Sequence, residues 1–321
     1  MSAPLLDVIE LSKRFKLKGG RSLQAVDRVS FSLHKGQTLG VVGESGCGKS
    51  TLGRLILRLI EPSGGSVRFM GHDVTLMPPA QLREVRKHLQ VIFQDPQAAL
   101  DPRMTVGKLI EEPLIIHRIG TAAERTSEVA RLLETVGLPT EAARRYPHEF
   151  SGGQRQRICI ARALALKPEL IVADEPVSAL DVSIQSQVLN LLTDLQRERG
   201  LSYLFISHNL AVVKYMSDAV AVMYLGRVVE MGDAEQVFGN PKHPYTQALL
   251  AAIPEPEPPS AQTPSAPPLL GELPSPDNLP SGCRFHTRCM HAMDRCRTQA
   301  PQPLQVGTAQ RVHWVECHLW A

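Results

Sequence analysis

Apolar positions along this chain fall into short runs separated by helical stripes. Residues 5–11 and 25–33 are alternating or apolar-rich, and Ser66-Val67-Arg68-Phe69 adds a third run. Gly19-Gly20 and Gly64-Gly65 punctuate them, which predicts a small antiparallel layer. Leu39-Gly40-Val41-Val42 and Leu170-Ile171-Val172-Ala173 are strand-length and unbroken, as in strands covered on both faces of a parallel sheet. Residues 88–93, 203–206 and 219–225 read as further strands. From Pro96 to about Arg145 the period becomes helical. Thr121-Ala122-Ala123-Glu124 is a capping box, Val129, Leu132, Leu133 and Val136 share one face, and Gly137 closes the turn. Ile184, Val188, Leu191, Leu192 and Leu195 form another stripe, stopped by Gly200. Strands alternating with helices predict an α/β fold with a helical insertion over about 96–165.

One junction in that pattern carries chemistry. Gly43-Glu44-Ser45-Gly46-Cys47-Gly48-Lys49-Ser50-Thr51 lies between the strand at 39–42 and a helical run at 52–60. Strand, glycine loop and helix is the context of a phosphate-binding P-loop. Gly43, Gly46 and Gly48 free the backbone to aim its N–H groups, with those of Ser45 and Cys47, at a phosphate chain. The helix start adds a positive dipole end. Lys49 supplies a point charge, and Ser50, beside Thr51, a hydroxyl for Mg²⁺. The expectation is nucleoside triphosphate binding. Cys47, near that helix start, is expected to favour thiolate, so that alkylation would inhibit.

Composition narrows the setting. The chain has 321 residues, 43% apolar and 21% charged, ordinary for a soluble globular protein. A net charge of +3 is too small to argue for nucleic acid or an anionic membrane surface. No apolar run approaches the roughly 18–20 residues of a membrane span, and the first ten residues lack a secretory pattern. The expected compartment is cytosolic, where disulfides are uncommon.

Two further places are candidates for chemistry. Asp174-Glu175 ends the strand at 170–173, where side chains emerge at the carboxyl edge of a sheet. Asp174 suits Mg²⁺ and Glu175 suits polarising a water, although a solvated acidic pair is the plainer alternative. Ser151-Gly152-Gly153-Gln154 opens the helical run to Leu166 and is a second anion-type helix start, or simply a Ser-capped helix. One P-loop has no obvious use for both starts, so the second is assigned to another subunit's nucleotide.

In their order these motifs resemble the ATP-binding subunit of an ABC transporter, over most of residues 5–253. Gln94 matches the Q-loop, Phe150 to Gln154 the signature (with Phe where Leu is usual), and Asp174-Glu175 the end of Walker B. Asp181 closes a D-loop at Ser178-Ala179-Leu180-Asp181. His208 matches the switch histidine, followed by Asn209 where Asp is more frequent, and Phe15 the aromatic that stacks on adenine. The resemblance implies an α/β P-loop NTPase (RecA-like) core with an antiparallel β layer and a helical subdomain. It implies catalytic roles for Glu175, His208 and Gln94, with Mg²⁺ held by Ser50, Gln94 and Asp174. It also implies head-to-tail pairing, so that Ser151, Gly152, Gly153 and Gln154 serve the partner's ATP. Gln94-Asp95-Pro96, residues 100–106 and His243-Pro244-Tyr245-Thr246 look like the oligopeptide/dipeptide importer group, which also includes nickel and glutathione importers. Implied partners are a second, often non-identical ATPase subunit, two transmembrane permeases and a solute-binding protein, with no nucleic acid. The implied place is the cytoplasmic face of the inner membrane. A non-transport ABC ATPase is the rival reading; such proteins usually carry two ATPase units or a long coiled coil, and this chain has neither.

Residues 254–282, rich in Pro, Ser and Glu, read as a tether. Beyond it, Cys283, Cys289, Cys296 and Cys317 lie in a segment, 283–321, with too few apolar residues to fold alone. The importer group often ends this way, and the resemblance implies a 4Fe–4S cluster. Structural zinc is the alternative, though it usually takes closer cysteine pairs, and free thiols are a third. His286, His291, His313 and His318 stand nearby as competing ligands or solvated side chains. Cys159, inside the helix after Ser151, reads as a small core residue.

Overall fold

The computed structural model describes residues 3–252, 271–307 and 312–321. The part of the expected tether at 254–270 therefore lies outside the described residues. The chain divides into two compact units: Met1–Leu33, Thr38–Thr75 and Ser207–Ala321 form the first, His34–Gln37 and Leu76–Ile206 the second.

The first unit opens with long strands β1 (Leu6–Lys16) and β2 (Ser22–Leu33), followed by β3 (Thr38–Val42), helix α1 (Lys49–Ile56), β4 (Gly64–Phe69) and β5 (His72–Asp73). The apolar runs noted above become an antiparallel sheet in the order β2-β1-β4-β5. Its alternate residues Leu6, Val8, Val67 and Phe69 are buried, so the period-two pattern pays off as one covered face. All five residues of β3 are buried.

The second unit holds α2 (Pro79–Val85), β6 (Leu89–Ile92) and the helical insertion. The insertion comprises α3 (Pro96–Ala99), α4 (Val106–Ile116), α5 (Ala122–Thr135) and α6 (Gly152–Leu164). At the start of α5 the Thr121 N–H donates to Glu124 Oε2 at 2.6 Å, and the Glu124 N–H to Thr121 Oγ1 at 3.3 Å, closing the expected capping box. Strands β7 (Leu170–Asp174) and β8 (Ser202–Ile206) flank α7 (Val182–Arg199), which ends on left-handed Gly200 (φ 64°). Strands β6, β7 and β8 are parallel, with Leu170 opposite both Leu89 and Ser202.

The chain then returns to the first unit through α8 (Leu210–Met216), β9 (Ala219–Tyr224), β10 (Arg227–Asp233), α9 (Ala234–Gly239) and α10 (Pro244–Ala251). Strand β9 pairs with β3 in parallel, as the apolar runs predict. Strand β10 pairs with β9 in antiparallel fashion through a two-residue turn, Leu225-Gly226, in which both residues have positive φ. The last segment contributes α11 (Asp294–Thr298), β11 (Leu304–Gln305) and β12 (His313–Val315), and β12 adds to β10. Strands β10 and β12, which extend this pairing in antiparallel fashion, are not among the strands expected from sequence. A short polar-flanked strand such as His313-Trp314-Val315 gives no periodic signal of its own.

Among the described residues no helix is long and apolar enough to cross a membrane.

Candidate nucleotide-binding and catalytic site

In the first unit the loop from Gly43 to Gly48 joins β3 to α1. Its shape needs glycine at two places. A Cβ on Gly43 (φ 151°) would lie 2.2 Å from the Met223 carbonyl oxygen, and one on Gly48 (φ 109°) 2.1 Å from that of Ala25. Both contacts are with backbone, which cannot swing aside. Gly48 is the left-handed cap of α1 and has no side chain to occupy the helix start. Lys49 is buried, and its ammonium donates to the carbonyls of Gly43 at 2.8 Å and Glu44 at 3.0 Å. Ser45 and Gly46 are exposed at the tip, and Ser50 and Thr51 are half-buried in the first turn of α1. The loop thus ends at the positive start of α1, with the Lys49 ammonium held by the loop's own carbonyls.

Cys47 corrects the thiolate expectation. It is 1% exposed, and burial pushes its thiol pKa up despite the opposing pull of Lys49. A helix start and a neighbouring ammonium favour thiolate only where they outweigh the loss of water on burial, and here burial is the larger influence. Cys159 is buried as expected, its thiol pushed up to about 11 by burial.

Phe15, on β1, is 37% exposed, with the Lys13 ammonium 5.0 Å from its ring centre. His208 follows Ser207, whose N–H donates to the Val41 carbonyl at 3.1 Å at the end of β3. Asn209 caps α8, its side-chain oxygen accepting from the N–H groups of Ala211 (3.0 Å) and Val212 (3.3 Å). The Asn at this position therefore has a structural use, and His208 is exposed at the mouth of that cap.

In the second unit Asp174 ends β7 and is 7% exposed. Glu175 follows in left-handed backbone (φ 48°), its N–H donating to the Ile206 carbonyl at 2.9 Å. A non-glycine residue at positive φ is costly and concentrates at functional positions. The Gln94 amide, just beyond β6, donates to Glu175 Oε2 at 3.0 Å. The structure therefore brings together two of the expected catalytic residues that lie 81 positions apart.

Ser151 caps α6: its hydroxyl accepts from the Gln154 N–H at 3.3 Å, while its own N–H donates to Gln154 Oε1 at 3.0 Å. Ser151 and Gly152 are exposed, whereas Gly153 is buried, and a Cβ there would lie 2.3 Å from Ile184 Cγ2. Gly152 faces Leu180. The turn that opens α6 thus rests on residues that flank Asp181, which caps α7 by accepting from the Ile184 N–H at 3.3 Å. Gly153 is required for close approach of α7 as well as for an open helix start.

Two partners of the Gly43–Gly48 loop were not singled out by sequence for this role. The Tyr245 hydroxyl accepts from the Glu44 N–H at 2.9 Å. Arg288 grips the Glu44 carboxylate with both guanidinium arms, at 2.7 and 3.1 Å. Only the motif at 243–246 hinted at Tyr245. Nothing local marks Arg288, which lies 244 residues downstream.

Around Arg288 the four late cysteines are electrostatic neighbours. Burial first, then Cys296, Cys317 and Cys289, pushes Cys283 up to about 11. Burial and nearby thiols raise Cys289 and Cys317 as well. Among the described residues no three His, Cys, Asp or Glu side chains draw close enough to hold a single metal ion.

Comparison with known proteins supplies the remaining findings. Residues 26–178 match the ABC transporter family, and residues 229–296 match the oligopeptide/dipeptide transporter C-terminal region. The oligopeptide transport ATP-binding protein AppF of Bacillus subtilis is 51% identical over 324 residues, spanning 99% of this chain and 98% of its own. Among solved structures, the dimeric post-hydrolysis form of the ATP-binding cassette MJ0796 bound to ADP and Pi is 28% identical with a TM-score of 0.66. It covers 71% of this chain and 98% of the cassette. cbiO1 from Clostridium perfringens, part of an ABC transporter complex, is 26% identical with the same TM-score, covering 74% of this chain and 92% of its own.

Proposed function

This chain belongs to the ABC transporter family, and from that premise we propose that it is the ATP-hydrolysing subunit of a peptide importer. It binds ATP, hydrolyses it and works with a membrane permease and a second cassette. The observation that carries this reading is the presence of two separate phosphate-type helix starts. One is the Gly43–Gly48 loop over buried Lys49; the other is the Ser151-capped turn. A subunit acting alone would use one of them. Paired head to tail, two cassettes use both, with Ser151, Gly152, Gly153 and Gln154 serving the partner's nucleotide.

In this reading Lys49 and the loop amides hold the phosphates, and Phe15 stacks on the base. Ser50, Gln94 and Asp174 are the ligands for Mg²⁺, which when bound offsets charge on the phosphates. The buried carboxylate of Asp174 suits a hard cation. Glu175, fixed by its strained backbone and by Gln94, takes the proton from the attacking water. His208 steadies the developing charge, and Asp181 anchors the signature turn through α7. Residues 1–253 form the ATPase domain, 254–282 the tether and 283–321 the cysteine segment. The partner cassette is non-identical, two permeases span the cytoplasmic membrane, and a solute-binding protein delivers the peptide.

The cysteines favour a 4Fe–4S cluster over zinc. Tetrahedral zinc draws four thiolates to about 2.3 Å from one point. A four-iron cluster would likewise be held by cysteine thiolates, and the longer spacing of Cys283, Cys289, Cys296 and Cys317 is the reason for preferring it to zinc, which usually takes closer pairs. Cys283, Cys289, Cys296 and Cys317 influence one another electrostatically and would be the residues to hold such a group, whose contribution when bound is to cross-link a segment poor in apolar residues. Anaerobically purified protein is expected to be brown, with iron and sulfide in matching amount; colourless protein with stoichiometric zinc overturns the cluster.

The reading of the site is tested by Glu175→Gln. The variant should bind ATP normally, lose turnover by about 10²–10⁴-fold and accumulate as a nucleotide-dependent cassette pair. Undiminished hydrolysis would remove Glu175 from catalysis. Failure to pair with its cognate cassette under saturating ATP and Mg²⁺ would remove the head-to-tail scheme.

A further inference from the structure

Glu44 places a carboxylate in a loop built to receive phosphates, where its charge repels the ligand the loop attracts. Its backbone is nevertheless central there. The Glu44 carbonyl accepts from Lys49 Nζ at 3.0 Å and from the Cys47 N–H at 3.3 Å, and its N–H donates to Tyr245 Oη at 2.9 Å. The side chain is held by Arg288 in the bidentate fork that suits a carboxylate. The Arg288 side chain is 5% exposed and that of Glu44 26% exposed, so the pair is shielded from water on the arginine side.

Arg288 is itself held by the cysteine segment's footing on the first unit. Phe285 packs edge-on against Tyr224 (ring centres 5.2 Å apart) and tilted against Tyr245 (5.4 Å), and the Arg288 guanidinium lies 5.9 Å from the Tyr224 ring centre. Arg284 donates to the Leu225 carbonyl and to Asp27. The stretch from Cys283 to Cys289 therefore places Arg284, Phe285 and Arg288 against the strands and helix that cradle the loop.

We propose that Arg288 is a positioning residue for ATP: it neutralises Glu44 and turns its carboxylate away from the phosphate cradle. The cysteine-rich segment thereby sets the nucleotide affinity of the Gly43–Gly48 loop. This rests on the reading of that loop as the ATP site. Without Arg288 the loop keeps its glycines and lysine but gains an unpaired carboxylate beside the phosphates. Affinity falls, whereas the hydrolytic residues Gln94 and Glu175 are untouched.

The test measures KM for ATP, kcat and nucleotide affinity on full-length protein purified anaerobically. Arg288→Ala is expected to raise KM and Kd about tenfold, within the usual range of coupling between sites, with kcat changed less than twofold. Arg288→Lys, which keeps the charge and loses the fork, should recover most of the loss. Adding Glu44→Gln to Arg288→Ala should restore affinity by removing the carboxylate that was left bare. Affinity within twofold of the parent in Arg288→Ala overturns the proposal. So does a double variant as impaired as Arg288→Ala, because the arginine would then act on the fold and not through Glu44. Should Arg288→Ala not fold, Arg288→Gln, which also removes the charge but keeps more of the side chain, paired with Arg288→Gln/Glu44→Gln gives the same comparison. Lys49→Ala serves as control: if it binds ATP unchanged, the loop is not the nucleotide site and the underlying reading fails first.

Discussion

Cys47 shows how far the environment of one side chain departs from its sequence position. Its neighbours Gly46 and Gly48 and the start of α1 favour an anion, yet the sulfur points into the unit, where burial disfavours charge more than Lys49 favours it. The thiol therefore stays protonated at neutral pH. Brief treatment with iodoacetamide at pH 7.5 should leave Cys47 unmodified in the folded protein and modify it fully after unfolding, as read by mass spectrometry of the peptide. Labelling within minutes in the native state would contradict the burial. Glu175 is the opposite case: the same Asp-Glu pair that reads as a possible solvated patch has one member in strained backbone and hydrogen-bonded to Gln94. Spacing told of the carboxylates and the family resemblance named Gln94; only the fold showed that the Gln94 amide donates to Glu175.

Among elements, α6 carries two demands at its first turn. Its N-terminus must be open, which Ser151 and Gly152 provide, and it must sit close on α7, which Gly153 permits. Gly153→Ala places a methyl 2.3 Å from the Cγ2 methyl of Ile184, so a destabilisation of about 1–3 kcal/mol is expected in urea unfolding. Gly153→Ala/Ile184→Ala should regain part of the overpacking term. Unchanged stability in the single variant would mean that α6 and α7 have slack and that Gly153 serves the helix start alone. Elements with a local code were legible. The α5 capping box, the Gly200 stop on α7 and the buried runs of β3 and β7 formed where their residues predicted them. The β9–β10 hairpin was not, since Leu225 supplies one of its two positive-φ positions and leucine is no turn marker.

At the scale of the whole first unit, a buried polar cluster ties the end of the chain to the sheet. Glu230, 1% exposed, accepts from the N–H groups of Lys242 (2.6 Å, at Oε1) and His243 (2.9 Å, at Oε2), and His313 Nε2 on β12 lies 2.7 Å from the same Glu230 Oε1. His243 caps α10, its Nδ1 accepting from the Tyr245 N–H at 3.0 Å. Burial holds His243 down to about 4, against the raising influence of Glu230 and of a hydrogen bond to the Glu316 backbone. The unfolded chain takes up this proton near pH 6.5 and the folded chain only near 4, so the unfolded state binds more protons between them. Stability contributed by neutral His243 is complete above about pH 6.5 and is lost as pH falls toward 4, by up to about 3 kcal/mol. His243→Asn, which keeps a capping oxygen, should flatten this part of the pH–stability curve; an unaltered slope would assign the loss to other groups.

The sequence by itself determined what depends on neighbours along the chain: the strand–loop–helix that forms the phosphate cradle, the Ser151 helix start, the acidic strand end and the helical insertion. Each is a local pattern because backbone conformation and hydrophobic period are set within a turn or two. Only the tertiary structure decided what depends on partners far away. Arg288 reaches Glu44 and His313 reaches Glu230 because β12 and the Cys283–Cys289 stretch fold back onto the first unit. Long-range polar contacts leave no periodic trace, and a sulfur's charge follows from the water it has lost, which no local spacing records.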